Sequence, residues 1–327
     1  MKVVTIGGGT GLSSLLRGLK HLVPQKIEDL SAIVTVADNG GSSGRIRREL
    51  HIPPPGDVRN CIVALAEDEA ILSQAFQYRF EEGEGLKGHS FGNLFLTVLT
   101  KITGSFIEAI EITSSILKIK GKIIPSTAEL VNLVAEFTDG KIIEGETEIT
   151  EYGKQLKAKI KKIWLEPSNI KAPKEAVEKI LNADFIILGP GSLYTSIIPN
   201  LLVKDIAKTL LKTKAKKIYI VNVMTQYGET DKFTASDHVK ALYNVVGKPF
   251  IDAVIVNTTL PPDEVLKRYL KEHSEPVVAD AGNLSEMGLM VCSGDLIDKG
   301  TYARHNPQKL ADTLIKLFEK LKEPTIV

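Results

Sequence analysis

Three times along this chain a short apolar run empties into a loop of glycines, hydroxyls and amides. Val3 to Ile6 runs into Gly7-Gly8-Gly9-Thr10-Gly11, and Phe185 to Leu188 into Gly189-Pro190-Gly191-Ser192-Leu193-Tyr194-Thr195-Ser196. Ile218 to Val221 opens a third polar loop, Asn222 to Thr230. Runs without polar alternation are the mark of strands covered on both faces, and parallel strands need helical crossovers between them. The helices are present as period: Leu12, Leu15, Leu16 and Leu19 follow the first loop at helical spacing. Further helices are expected at Pro173 to Leu181, Ala235 to Val246 and Pro262 to Glu272, with a closing one through Leu310, Leu314, Leu317 and Leu321. The pattern predicts an α/β fold with a mostly parallel sheet, whose ligand sites lie beyond the carboxyl ends of the strands.

A glycine turn that opens a helix lets backbone N–H groups approach a phosphate, and the positive end of the helix dipole adds attraction. Gly8, Gly9, Thr10 and Gly11 form such a turn, and Gly189, Gly191, Ser192 and Tyr194 belong to a second, so one shared phosphate-bearing site is expected. The dinucleotide fingerprint is incomplete, because Gly9-x-Gly11 is followed by Ser14 where the third glycine would stand. An NAD-like dinucleotide stays open as a ligand, but nothing nominates a hydride-transfer partner.

The densest polar stretch is Val34 to Asn60. A strand is expected at Val34-Thr35-Val36, leading into a loop of Asp38, Asn39, Gly40, Gly41, Ser42, Ser43 and Gly44. Asp38 stands where dinucleotide-binding sheets keep a ribose-binding acid. Arg45, Arg47, Arg48 and Arg59 supply fixed forks for phosphate or carboxylate. A Pro53-Pro54-Pro55-Gly56 turn then delivers Asp57 as the expected N-cap of a helix through Arg59 and Asn60. Ser90 reads as the cap of another helix, with His89 and Asn93 beside it as candidate ligand contacts.

Lys plus Arg (41) balances Asp plus Glu (40), so no overall field favours nucleic acid or an anionic membrane, and any anion must be held locally. No run reaches the roughly 18 apolar residues of a membrane span. No secretory leader is recognisable, and Cys61 and Cys292 sit apart in apolar contexts, which points to a reducing, cytoplasmic location. No P-loop, H-E-x-x-H, Cys/His cluster or G-x-S-x-G elbow occurs. At 327 residues and 43% hydrophobic, the whole chain, 1–327, is expected to form one α/β domain. Short alternating runs at about 118–165 predict a mostly antiparallel β insertion with a hairpin at Asp139-Gly140, a solvated Lys154 to Lys162 face and Trp164 packing it on the main sheet. An exposed insertion of this kind leaves homo-oligomerisation open, without naming the surface. His238 reads as a helix-surface residue, and Arg304, by position alone, as half of a surface ion pair.

Residues 7–20 (GGGTGLSSLLRGLK), 34–61 (VTVADNGGSSGRIRRELHIPPPGDVRNC), 88–94 (GHSFGNL), 188–203 (LGPGSLYTSIIPNLLV) and 221–239 (VNVMTQYGETDKFTASDHV) together resemble the YvcK-type gluconeogenesis factor family. That family is a branch of the group that includes CofD, the 2-phospho-L-lactate transferase. The resemblance implies a Rossmann-like, doubly wound fold and a cytoplasmic role in cell shape and cell-wall homeostasis during gluconeogenic growth. It implies binding of UDP-sugars such as UDP-N-acetylglucosamine, with cell-wall synthesis proteins as partners and no required cofactor. By similarity Tyr269 and Arg304 fall where family members hold the UDP-sugar, which displaces the surface-pair reading of Arg304. The competing reading is a Mg²⁺-dependent phosphotransferase like CofD, with Asp38 and Asp57 as metal ligands and Arg59 stabilising developing charge. Against it stands Asn39, an amide without charge for Mg²⁺, directly after the first of those acids.

Overall fold

The computed structural model describes residues 1–67 and 71–322. In chain order its strands are β1 (Lys2–Gly7), β2 (Asp29–Val34), β3 (Lys122–Pro125), β4 (Asn132–Phe137), β5 (Ile142–Glu144), β6 (Ile160–Glu166), β7 (Phe185–Leu188), β8 (Lys216–Ile220), β9 (Ala253–Asn257) and β10 (Met290–Gly294). Seven of them form one sheet in the order β10-β9-β8-β7-β1-β2-β3, every neighbouring pair parallel. Helices cover both of its faces, which is why all four residues of β7 are buried. Phe185 of β7 stacks at 4.1 Å on Phe318 of the Pro307–Lys322 helix, so the last helix closes the core as its leucine stripe predicts.

The topology places the site. From β1 the chain builds outward through β2 to β3, then returns to β7 on the other side of β1 and builds outward through β8, β9 and β10. Val3 pairs with both Leu30 and Phe185, and Ile6 with both Ile33 and Leu188. The winding therefore reverses between β1 and β7, and their two glycine loops emerge side by side at the switch point.

Several elements differ from the sequence expectation. The second strand is Asp29–Val34 rather than Val34–Val36, because the Asp29–Val34 segment pairs with both β1 and β3. Gly41 to Gly44 are not loop but the first turn of the Gly41–Leu50 helix. β10 carries no apolar run because its edge position leaves it partly exposed. The antiparallel layer, β5-β4-β6, starts at Asn132 rather than near 118, since β3 joins β2 in parallel in the main sheet. Within it the Glu146–Leu156 helix interrupts what reads as continuous strand and lysine-rich face. Half-buried Trp164 on β6 borders a groove with Leu201 and Leu202 of the Ile198–Leu202 helix. His238 is fully buried, its Nδ1 2.8 Å from the Thr234 carbonyl, because it lies on the inward face of the Ala235–Val246 helix with Val239 and Leu242. Both cysteines are free. Among the described residues no helix is long and apolar enough to cross a membrane.

Candidate functional site

The turn after β1 opens the Gly9–Leu19 helix, with Gly8 extended at its N-cap. At Gly11 only glycine fits: a Cβ there would lie 2.4 Å from the carbonyl oxygen of Pro190, so the turns after β1 and β7 touch. Gly191, at φ +156°, donates its N–H to Asn222 Oδ1 at 3.2 Å, which ties in the loop after β8. These three loops wall a 280 Å³ cleft that presents Thr10, Gly11, Gly191, Ser192, Asn222 and Gln226.

Tyr269 and Arg304 also line the cleft. Tyr269, on the Asp263–Lys271 helix, packs against a small apolar cluster that includes Val223, Met224 and Ile297. The Arg304 guanidinium lies 4.7 Å over the Tyr302 ring, and Arg268 lies 5.1 Å from the same ring. Arg268 also donates to the Thr301 carbonyl, which anchors the loop that carries this stack. Arg304 has no carboxylate partner among the described residues, whose ion pairs all use lysines. Its fork is thus held in place by an aromatic face and keeps its hydrogen-bonding capacity for an anion.

Behind the glycine turn sits a group of acids, Glu229 buried and Asp57 and Glu146 half-buried. Asp57 is not an N-cap: the Gly56–Leu65 helix is capped at Pro55, and Asp57 lies half-buried in its first turn. Its carboxylate accepts the Gly9 N–H, and burial, reinforced by the nearby charge of Asp38, pushes its pKa up to about 7. Glu146 is raised well above the usual carboxylate range by burial and by Asp38, Asp57 and Glu229. Burial likewise pushes Glu229 up to about 7; it accepts the Thr150 hydroxyl at 2.7 Å and the Gln226 amide, while its Oε2 has no partner. Burial, then the charge of Glu229, pushes the Tyr194 hydroxyl up to about 12. These acids lie within electrostatic reach of one another without converging. Among the described residues no three His, Cys, Asp or Glu side chains could hold a metal ion together. Asp38 accepts the Gly40 N–H at 2.8 Å and Asp57 that of Gly9, so each of these carboxylates is engaged by a backbone donor.

The remaining sequence candidates separate by partner. Asn39 is turned to the antiparallel layer, donating to Glu148 Oε2 at 2.6 Å and accepting the Thr147 N–H at 3.0 Å. Ser42, His89 and Asn93 bond one another: Ser42 Oγ is 2.9 Å from His89 Nδ1 and accepts the Asn93 amide at 3.1 Å. Ser90 caps its helix by accepting the Asn93 N–H. Ser43 is buried against Gly56, Gly9 lies against Ser196, and Gly189 packs on the Ile220 carbonyl. Arg59 donates to Asn60 Oδ1 at 2.6 Å, and both line a cavity that adjoins the cleft. Sequence reasoning missed Ser14, His305 and Glu146, and marked Asn222, Gln226 and Glu229 only as parts of a polar loop. No short-range pattern distinguishes these six, since each reaches the site through tertiary packing.

Comparison with known proteins agrees with this architecture. Residues 3–297 match the family described as 2-phospho-L-lactate transferase CofD. A relative from Aquifex aeolicus is 57% identical over 98% of this chain and 97% of its own length. The gluconeogenesis factor of Bacillus subtilis is 48% identical over 98% of each. A crystal structure of a UPF0052-family protein from Bacillus halodurans superposes with a TM-score of 0.91 at 46% identity, covering 96% of this chain and 98% of that one. The chain belongs to the gluconeogenesis factor branch of the CofD family.

Proposed function

We propose that the cleft binds a nucleotide sugar of the UDP-N-acetylglucosamine kind and that the protein acts through this binding as a cytoplasmic regulator of cell shape and cell-wall homeostasis during gluconeogenic growth. The observation that carries the reading is the convergence of two glycine turns, an exposed guanidinium and a tyrosine on one cleft. The turns offer backbone N–H groups for a diphosphate, Arg304 offers a charged fork, and Tyr269 offers a ring and a hydroxyl to the rest of the ligand. The relatives named gluconeogenesis factor support a role connected with gluconeogenesis. Regulation follows if the ligand favours one arrangement of the cleft walls and cell-wall synthesis proteins read that arrangement.

Calorimetric titration with UDP-N-acetylglucosamine, UDP and NAD, with and without Mg²⁺, followed by mass analysis of each mixture, tests this. Metal-independent micromolar binding with ligands recovered intact is the expected result. Conversion of a ligand, or binding only with Mg²⁺, would replace the reading with a phosphotransferase of the CofD kind.

A further inference from the structure

A second cavity, 380 Å³ in volume, adjoins the nucleotide cleft and shares Thr10, Ser14, Arg304 and His305 with it. Its lining carries four arginines, Arg17, Arg59, Arg79 and Arg304, against one acid, Asp298. None of these arginines forms an ion pair among the described residues. Arg59 is 7% exposed, and its Nε has no hydrogen-bond partner. Burial first, and then the neighbouring charge of Arg79, pushes its pKa down to about 10. His305, 6% exposed, likewise has an unpartnered Nε2, and burial holds its pKa down to about 4, so the ring is neutral.

Buried polar atoms are nearly always satisfied, and like charges gathered in a concavity repel unless something neutralises them. The surplus of guanidinium forks around one cavity is relieved by one kind of occupant. We propose that this cavity binds an oxyanion, a phosphoryl or carboxylate group, held by Arg17, Arg59 and Arg79, with the neutral His305 ring in the wall shared with the cleft. Bidentate guanidinium geometry suits both groups. The oxyanion site stands on these residues alone. That it serves as a second anchor beside a diphosphate rests on the nucleotide-sugar reading.

The test is calorimetry on the full chain and on the double variant Arg17→Gln/Arg79→Gln, whose side chains are exposed and lie outside the nucleotide cleft. The probes are inorganic phosphate, UDP, UDP-glucose and UDP-glucuronate, the last two differing by a carboxylate in place of a hydroxymethyl group. If the occupant is part of the same ligand, UDP-glucuronate binds the parent protein at least fivefold tighter than UDP-glucose, and the double variant abolishes that preference. If it is free phosphate, phosphate and UDP bind together, and the double variant weakens phosphate at least tenfold while UDP changes by less than twofold. Absence of both phosphate binding and glucuronate preference in the parent protein, or their persistence in the double variant, overturns the proposal. Failure of every UDP compound to bind, with phosphate binding still lost in the double variant, removes the nucleotide-sugar reading and leaves the oxyanion site standing.

Discussion

Arg304 lies 4.7 Å over the ring of Tyr302, and that ring, not a carboxylate, sets where its guanidinium stands at the edge of the cleft. Arg268, 5.1 Å from the same ring, tethers the loop from outside. A cation placed this way loses little rotamer freedom on meeting an anion, and it has no competing salt bridge to break.

Arg304→Ala is therefore expected to weaken nucleotide-sugar binding by about tenfold to a hundredfold, the worth of one charge-assisted contact. Stability should change by less than about 0.5 kcal/mol, since the side chain is exposed and unpaired. Tyr302→Ala leaves the charge but frees it, and a smaller loss of about twofold to fivefold is expected. Calorimetry paired with urea denaturation separates the two effects, and unchanged affinity in Arg304→Ala would remove this residue from the site.

Gly11 reports on the contact between the two glycine turns. Its substitution by Ala puts a methyl carbon 2.4 Å from the Pro190 carbonyl oxygen, so one turn must move. The expected cost is about 1–3 kcal/mol, as for overpacking elsewhere, with binding lost because both phosphate-facing loops shift. The urea midpoint and the binding isotherm of Gly11→Ala check this together. A variant of unaltered stability would mean the turns are not in contact.

Asp57 makes stability depend on pH in a direction opposite to that of a salt-bridged acid. In the unfolded chain it loses its proton near its ordinary 3.8, and in the fold only near about 7. Between those values the native state binds more protons than the unfolded state, so stability falls as pH rises and the loss is complete above about 7. Glu229, also pushed up to about 7, acts in the same window. Asp57→Asn keeps an acceptor for the Gly9 N–H and removes the charge. It is expected to gain roughly 1–3 kcal/mol at pH 8 and nothing at pH 4, with a flatter melting temperature profile between them.

The parallel sheet was legible wherever an apolar run ended at a glycine, as at Phe185–Leu188, because covered strands leave no polar alternation to confuse their limits. Thr35 and Val36 were misleading, since they are as β-branched as the strand before them and only pairing decides where it stops. β10 was invisible because an edge strand needs no unbroken apolar run. Thr10, Gly11, Gly191 and Ser192 meet at the cleft because the two loops that carry them flank one switch point. Asn39, Ser42, His89 and Asn93 have the same polar composition, yet each is tied up in internal bonds, and among the buried side-chain atoms of that cluster only Asn93 Oδ1 is left without a partner. Composition states what a side chain can do, and tertiary neighbours decide whether that capacity is still free.

Metal dependence tests that same distinction on the acids. Asp38 and Asp57 look like metal ligands in sequence, but each already accepts a backbone N–H, and burial together with mutual repulsion keeps Asp57 and Glu146 protonated longer than ordinary carboxylates. A divalent ion would have to displace those protons before it gained any Coulomb energy. The anionic ligand, by contrast, meets Arg304 and two glycine turns that need no metal to neutralise phosphate. Nucleotide-sugar affinity is therefore expected to change by less than about twofold between excess Mg²⁺ and excess EDTA at pH 7. Asp38→Asn should leave it equally unmoved while lowering the pKa of Asp57. A tenfold loss of affinity in EDTA would show that a metal, rather than the arginine fork, carries the diphosphate.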